Sequence, residues 1–253
     1  MSFFNWGLMA GEIQFIGLKN YFYMSHRDRF VNAMLFTTAY MFSAIGLSFP
    51  VALGAAILLQ HENIIARILR TLILLPMMFA MIIVAIAWRW LFHYQFGIIN
   101  YLLSIFGLPR IAFLSEILTA RFVVMFVGSM WHIPFTFALL LSALYSIPKE
   151  VRDAAKIDCT SKVQEYIHIM FPYLKPIILV CILLNLIEAA KLFETVYAVT
   201  YGGPANSTES LSFLAYRVSF QYLRLGEGAA ISWWLFLIVA IISLFLLNLT
   251  RRG

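Results

Sequence analysis

Five stretches of about twenty or more mostly apolar residues, at about 31–59, 71–92, 121–145, 177–200 and 229–249, constrain this chain more than any other feature. A bilayer core about 30 Å thick needs roughly 20 residues of helix to cross it, and inside it every backbone polar group must be bonded within a helix or a closed barrel. The stretches are rich in Leu, Ile, Phe and Val, carry few charges and lack the short alternating strands of a membrane barrel. The pattern predicts an all-α fold: a polytopic membrane helical bundle with five spans, forming a single transmembrane domain over 1–253. Composition excludes a soluble domain, since 62% of the chain is hydrophobic and 12% charged, against roughly 25% charged in soluble proteins. Pro50, Pro76 and Pro134 fall inside spans, where neighbouring helices can satisfy the freed carbonyls and tolerate a kink. Cys159 and Cys181 form no CxxC pair, so neither a disulfide framework nor a metal site is indicated.

Five spans put the termini on opposite sides, and Lys and Arg concentrate in cytoplasmic segments. One alternating set holds Arg67, Arg70, Lys149, Arg152, Lys156, Lys162, Lys175, Arg251 and Arg252, nine basic residues in about 43 positions. The other holds Lys19, Arg27, Arg29, Arg110, Arg121, Arg217 and Arg224, seven in roughly twice the length. The first set is therefore assigned to the cytoplasm, with the C-terminus inside and the first 30 residues outside. Those residues follow no apolar helix and lack the pattern of a signal peptide. The sequence reads either as lacking an upstream span or as having an irregular helix count. The net charge of +6 follows from membrane topology and does not call for a nucleic-acid partner.

The segment 146–176 between the third and fourth stretches reads as two short helices. Pro148 suits a first helical turn, Glu150 and Asp153 sit early, where the helix dipole favours acids, and Ser161 with Gln164 fits a capping box. Pro172 and Pro176 are expected to end the second helix. Val151, Ala154, Ala155 and Asp158 recur at three- and four-residue spacing, giving a small-residue face that either lies on headgroups or fits a groove.

This segment resembles the EAA loop of ABC importer permeases, a pattern of Glu-Ala-Ala, Asp-Gly-Ala and closing prolines. Here it takes the form Asp153-Ala154-Ala155, Asp158-Cys159-Thr160, Tyr166, Ile169, Phe171-Pro172 and Pro176. Asp153 stands for the usual Glu, and Cys159 with Thr160 for Gly-Ala at the turn, where a left-handed backbone costs a non-glycine residue about 1–2 kcal/mol. Further motifs run in order along the chain: Gly17-Leu18-Lys19-Asn20-Tyr21, Leu75-Pro76, Trp88-Arg89-Trp90, Phe96-Gly97, Ser146-Ile147-Pro148 and Tyr201-Gly202-Gly203-Pro204. They are similar to the sugar-type permeases related to the maltose and glycerol-3-phosphate systems. Such permeases have six core spans, so the resemblance implies a permease core lacking its first helix.

Charged and aromatic residues within spans are the next candidates. The fourth stretch holds Asn185, Glu188, Lys191, Phe193, Glu194 and Tyr197, and a central charge costs about 2.5–3.5 kcal/mol on insertion scales. Glu188 and Lys191 can neutralise each other three residues apart, either as a structural pair or as lining of a polar path. Trp131, His132, Phe135, Phe193, Tyr197, Trp233 and Trp234 offer flat faces to sugar rings or pack as core. Trp88, Arg89, Trp90 and His93 read as an interfacial aromatic belt with a snorkelling Arg. Asn206-Ser207-Thr208 matches a glycosylation acceptor pattern.

The chain has no phosphate loop, no G-x-G-x-x-G, no H-E-x-x-H and no G-x-S-x-G, so it is not expected to be an enzyme. The resemblance implies a transmembrane subunit of an ATP-driven carbohydrate importer in the bacterial inner membrane, or alternatively an importer of glycerol-3-phosphate or a related phosphodiester; a non-transporting membrane scaffold or channel is the remaining alternative. It implies a second homologous permease, two ATPase subunits carrying ATP and Mg, and an extracytoplasmic solute-binding protein, with no cofactor on this chain. It assigns ATPase coupling to Asp153, Ala154, Ala155, Asp158, Cys159 and Thr160.

Overall fold

A computed structural model describes residues 1–7, 13–148, 150–151, 153 and 161–251. Helices dominate, and the strands among the described residues are a two-residue pair, β1 (Phe4–Asn5) and β2 (Gln14–Phe15), antiparallel with Phe4 opposite Phe15. The helices are α1 (Lys19–Ser25), α2 (Asp28–Leu58), α3 (Ile64–Leu74), α4 (Met81–Leu91), α5 (Ile98–Ile105), α6 (Ile117–Tyr145), α7 (Phe171–Ala190), α8 (Glu194–Val199), α9 (Leu211–Tyr216) and α10 (Leu225–Arg251). Among the described residues, four helical segments are long and apolar enough to cross a membrane: Asp28–Leu58, Ile117–Tyr145, Tyr166–Ala190 and Leu225–Asn248. A bent pair, Ile64–Met78 followed by Met81–Leu91 at 104°, passes the same test only when its two helices are taken together, as a broken span or a re-entrant loop.

Two expected spans differ from what is observed. The stretch 71–92 is not one helix. Leu75–Met78 tightens into a 3₁₀ turn around Pro76, and Phe79 and Ala80 are extended, because proline removes a backbone donor and crowds the preceding turn. The stretch 177–200 stops early: α7 ends at Ala190, Lys191 caps it, and Glu194 and Tyr197 belong to the separate α8. In the other direction this span begins sooner than expected. Pro172 and Pro176 do not end a helix but lie inside continuous helical structure running from Lys162 through a π-turn at Tyr166–Met170 into α7. The Phe171 N–H donates five residues back to the Tyr166 carbonyl, the π pattern, just before Pro172. Ser161 Oγ accepts from the Gln164 N–H at 3.3 Å at the start of this run.

The core is organised around α2 and α6. Tyr40 of α2 lies flat on Gly128 of α6, where a Cβ would come within 2.5 Å of the Tyr40 hydroxyl. The tyrosine is fully buried, so the contact requires glycine. Around it pack Phe36, Met41, Val123, Val127, Leu186, Val196 and Phe213. Toward the C-terminal end of α2 a second cluster joins Ala52 and Ala56 to Phe137, Leu140, Leu144, Met170 and Leu174. Toward its N-terminal end a third joins Phe30 and Ala33 to Leu211, Leu214 and Ile231.

At that N-terminal end the loop 200–210 folds back onto α2. Gly202 has φ +83°, and a Cβ there would meet Glu209 Cγ at 2.7 Å, which accounts for the first glycine of the Tyr201-Gly202-Gly203-Pro204 motif. Glu209 is fully buried and receives both Nε and a terminal nitrogen of Arg29 at 2.6 Å, and Arg217 at 2.6 Å. Arg29 also donates to the Tyr222 hydroxyl at 2.9 Å. Thr37 of α2 accepts the otherwise orphaned Leu211 N–H at 2.8 Å. The Thr208 hydroxyl of the glycosylation pattern is buried and donates to the Gly203 carbonyl at 2.8 Å, so it serves the loop's own fold. Removing one member of a buried ionic cluster leaves its partners uncompensated. Glu209→Ala is accordingly expected to destabilise the protein by about 3–5 kcal/mol, read as a lowered unfolding midpoint in detergent.

Candidate functional site

The middle of the bundle contains two cavities that share Trp131, His132 and Glu188. One, of about 270 Å³, is further lined by Met77, Phe135 and Leu184. The other, of about 240 Å³, is bounded by Tyr40, Met81, Lys191, Leu192, Glu194 and Thr195. Helical spacing explains the grouping: Trp131 and Phe135 are four apart on α6, and Leu184 and Glu188 four apart on α7, so each pair shares a face. The break between α3 and α4 supplies Met77 and Met81 from its two sides, and the early end of α7 turns Lys191 and Glu194 toward the same space.

The polar groups here are held to different degrees. His132 is buried, and its Nε2 lies 3.1 Å from the Tyr40 hydroxyl, fixing the imidazole through the α2–α6 contact. Lys191 Nζ donates to Glu188 Oε1 at 2.7 Å, yet the two side chains are 64% and 55% exposed. The pair joins positions three apart at the end of one helix.

Of the residues singled out from sequence, Glu188, Lys191, Glu194, Trp131, His132 and Phe135 line these cavities. Asn185, Phe193 and Tyr197 do not. Asn185 is buried between α6 and α7, donating to Thr136 Oγ1 at 2.8 Å and to the Cys181 carbonyl at 2.9 Å. Phe193 and Tyr197 stack on each other at 5.6 Å and join Tyr201, Phe213 and Tyr216 in an aromatic cluster beside the Glu209 loop. Arg89 does not snorkel: it donates to the Ala198 carbonyl at 3.3 Å and so tethers α4 to α8. Sequence reasoning missed Tyr40 as a lining residue. The available signal was a hydroxyl in the middle of an apolar span, which needs a partner when buried.

In the loop resembling the EAA pattern, Asp153 is exposed. Ala154, Ala155, Asp158, Cys159 and Thr160 lie outside the described residues. The stems on either side are anchored, with Ile147 buried against Leu144, Met170 and Leu174, and Val151 packed on the same cluster.

The sequence profile of the family described as "Binding-protein-dependent transport system inner membrane component" matches residues 48–252. Among individual proteins, the trehalose/maltose transport system permease protein MalF of Thermococcus litoralis is 32% identical over 244 residues, covering 95% of this chain and 81% of its own. The probable starch degradation products transport system permease protein AmyD of Thermoanaerobacterium thermosulfurigenes is 27% identical over 252 residues, covering 99% and 82%. In fold, the chain is similar to a subunit of a bacterial alginate ABC transporter solved in complex with an alginate pentasaccharide-bound periplasmic protein. The TM-score is 0.84, with 22% identity, 94% of this chain and 83% of that one being covered.

Because the Tyr40 hydroxyl and the His132 ring are buried together, deleting one partner exposes the other to the cost of an unmet hydrogen bond. Tyr40→Phe keeps the ring on Gly128 and is expected to lower stability by about 1–3 kcal/mol, measured as the unfolding midpoint of the purified protein.

Proposed function

The chain belongs to the family of binding-protein-dependent transport system inner membrane components, and on that premise we propose that it is one of two transmembrane subunits of an ATP-driven carbohydrate importer. Its cargo is a sugar, an oligosaccharide or a related polyol. The observation that carries this reading is the exposed ion pair of Glu188 and Lys191 on the wall of the central cavities. A charge left in hydrocarbon costs about 2.5–3.5 kcal/mol, so these side chains face a polar space. A second, homologous permease closing over this face converts the two cavities into part of a shared path.

The substrate class rests on the wall chemistry and on the relatives. Trp131 and Phe135 offer ring faces, and Glu188, Lys191, His132 and Glu194 offer acceptors and donors beside them, a combination suited to the apolar faces and hydroxyls of a sugar. The related proteins carry names for trehalose/maltose and starch degradation products.

In this reading the segment 146–165 and the C-terminus face the cytoplasm. Asp153, Ala154, Ala155, Asp158, Cys159 and Thr160 dock on one of two ATPase subunits, which hold ATP and Mg. Closure of the ATPase pair rocks the bundle between outward and inward access, a two-state change without covalent chemistry on this chain. Docking of an extracytoplasmic binding protein and binding of ATP favour the same outward-open state, since a ligand shifts an equilibrium only by its differential affinity.

Two measurements in proteoliposomes containing the full complex test the reading. Glu188→Ala is expected to reduce solute uptake or its apparent affinity by about tenfold, roughly the effect of losing one charged binding contact, while recovery of the assembled complex is unchanged. A loss confined to assembly would mean that the pair is structural. The double change Ala154→Trp with Asp158→Arg is expected to leave ATP hydrolysis no longer tied to uptake. Wild-type transport in that variant would remove the docking role.

A further inference from the structure

The end of α2 opposite the Glu209 loop shows an unusual convergence on one residue. Helix α6 ends at Tyr145, immediately before segment 146–165, and Tyr166 opens the π-turn immediately after it. Both tyrosine hydroxyls bond to Gln60. Tyr145 donates to the Gln60 carbonyl at 3.1 Å, and the Gln60 side-chain amide donates to the Tyr166 hydroxyl. The same amide reaches back to the Ile57 carbonyl at 2.9 Å, holding the side chain against its own helix.

The turn around Gln60 is fixed independently by Arg70 of α3. Its Nε donates to the Leu59 carbonyl at 2.7 Å and a terminal nitrogen to the His61 carbonyl at 2.6 Å, while the guanidinium sits 5.6 Å from the Tyr145 ring centroid. The last carbonyls of a helix need partners, and a glycine cap or water would supply them. Here they come from side chains of α3 and α6, and the Tyr166 bond is not required for capping at all. What it adds is a link from the turn between α2 and α3 to the far stem of the segment.

The two helices joined at this turn both reach the cavities. Tyr40 is on α2, and Met77 lies in the 3₁₀ turn that continues α3. We propose that Gln60 is a positioning residue for transport: its side chain ties the far stem of segment 146–165 to the turn between α2 and α3, whose main chain holds the near stem through Tyr145. Displacement of the segment by an ATPase subunit then moves the ends of these two helices with it. This rests on the docking role proposed for the segment.

The test uses the full complex with its binding protein in proteoliposomes, with uptake and ATP hydrolysis measured in the same vesicles. Gln60→Ala, which removes the Tyr166 bond and leaves the Tyr145 bond to the main chain, is expected to lower solute transported per ATP hydrolysed by about fivefold, the scale that one net hydrogen bond supports, and the pair Tyr145→Phe with Tyr166→Phe to lower it at least as much. Gln60→Glu, whose carboxylate accepts from the Tyr166 hydroxyl, restores most of that ratio. A purely structural cap would change yield or melting temperature and leave the ratio alone. If Gln60→Ala fails to assemble, the phenylalanine pair, which keeps both rings in place, carries the test. An unchanged ratio in the variants that assemble overturns the proposal. The variant Ala154→Trp with Asp158→Arg separates the two ideas: if it uncouples transport while the Gln60 set does not, the positioning role alone is wrong. If it behaves as wild type, the docking role falls and the positioning role falls with it.

Discussion

The contact between α2 and α6 is the one on which the other regions depend. Each site of interest takes one member from each helix. At one end, a terminal nitrogen of Arg121 on α6 donates to Asn32 of α2, whose own amide donates to the Asn206 carbonyl at 2.9 Å. In the middle, Tyr40 presses on Gly128 and bonds to His132. At the other end, Tyr145 bonds to Gln60. A helix of 31 residues is about 46 Å long, enough for α2 to connect all three. The absence of a side chain at position 128 sets how closely the helices approach, and that spacing puts the hydroxyl of Tyr40 within reach of the imidazole.

Polar groups among the apolar helices follow one rule with two outcomes. The Glu209 carboxylate, enclosed by this chain, is paired with both Arg29 and Arg217. Where a charge pair is left on an open wall, as with Glu188 and Lys191, it lies where the helix has just ended and the chain turns into α8. The first arrangement fixes a loop. The second leaves charge on a surface that lipid does not accommodate cheaply, and the need for a polar neighbour follows from that cost.

The helical class of the fold was legible because hydropathy reports directly on the solvent, and long apolar runs such as 121–145 carry that signal through isolated polar residues. Breaks were less legible. Pro50 and Pro134 lie inside continuous helices, whereas Pro76 sits beside a 104° turn, and the residue type is the same in all three. What differs is the packing around each, which no local pattern carries. Glu188, Lys191, Glu194 and Trp131 were readable as cavity residues because charge in a span and an aromatic beside it are conspicuous. Asn185 was conspicuous for the same reason yet stitches two helices, and Phe193 and Tyr197 joined an aromatic cluster whose other members come from beyond residue 200. Tyr40 was hidden by being one apolar-looking residue among many. Gln60 was hidden because its partners, Tyr145 and Tyr166, are far away in sequence.

The two ends of α2 are held by bonds of different strength. The Arg29 end is fastened by a bidentate, charge-assisted contact to a fully buried carboxylate, an arrangement costly to break because the remaining charges stay in low dielectric. The Gln60 end is fastened by neutral side-chain bonds, worth about 0.5–1.5 kcal/mol net each, and by Arg70 on main-chain carbonyls, all in part-buried or exposed surroundings where water can replace them. A rigid element attached strongly at one end and by exchangeable bonds at the other moves most at the second. That asymmetry puts the freer end of α2 beside the stems of segment 146–165, and the midpoint carrying Tyr40 between the moving end and the fixed one.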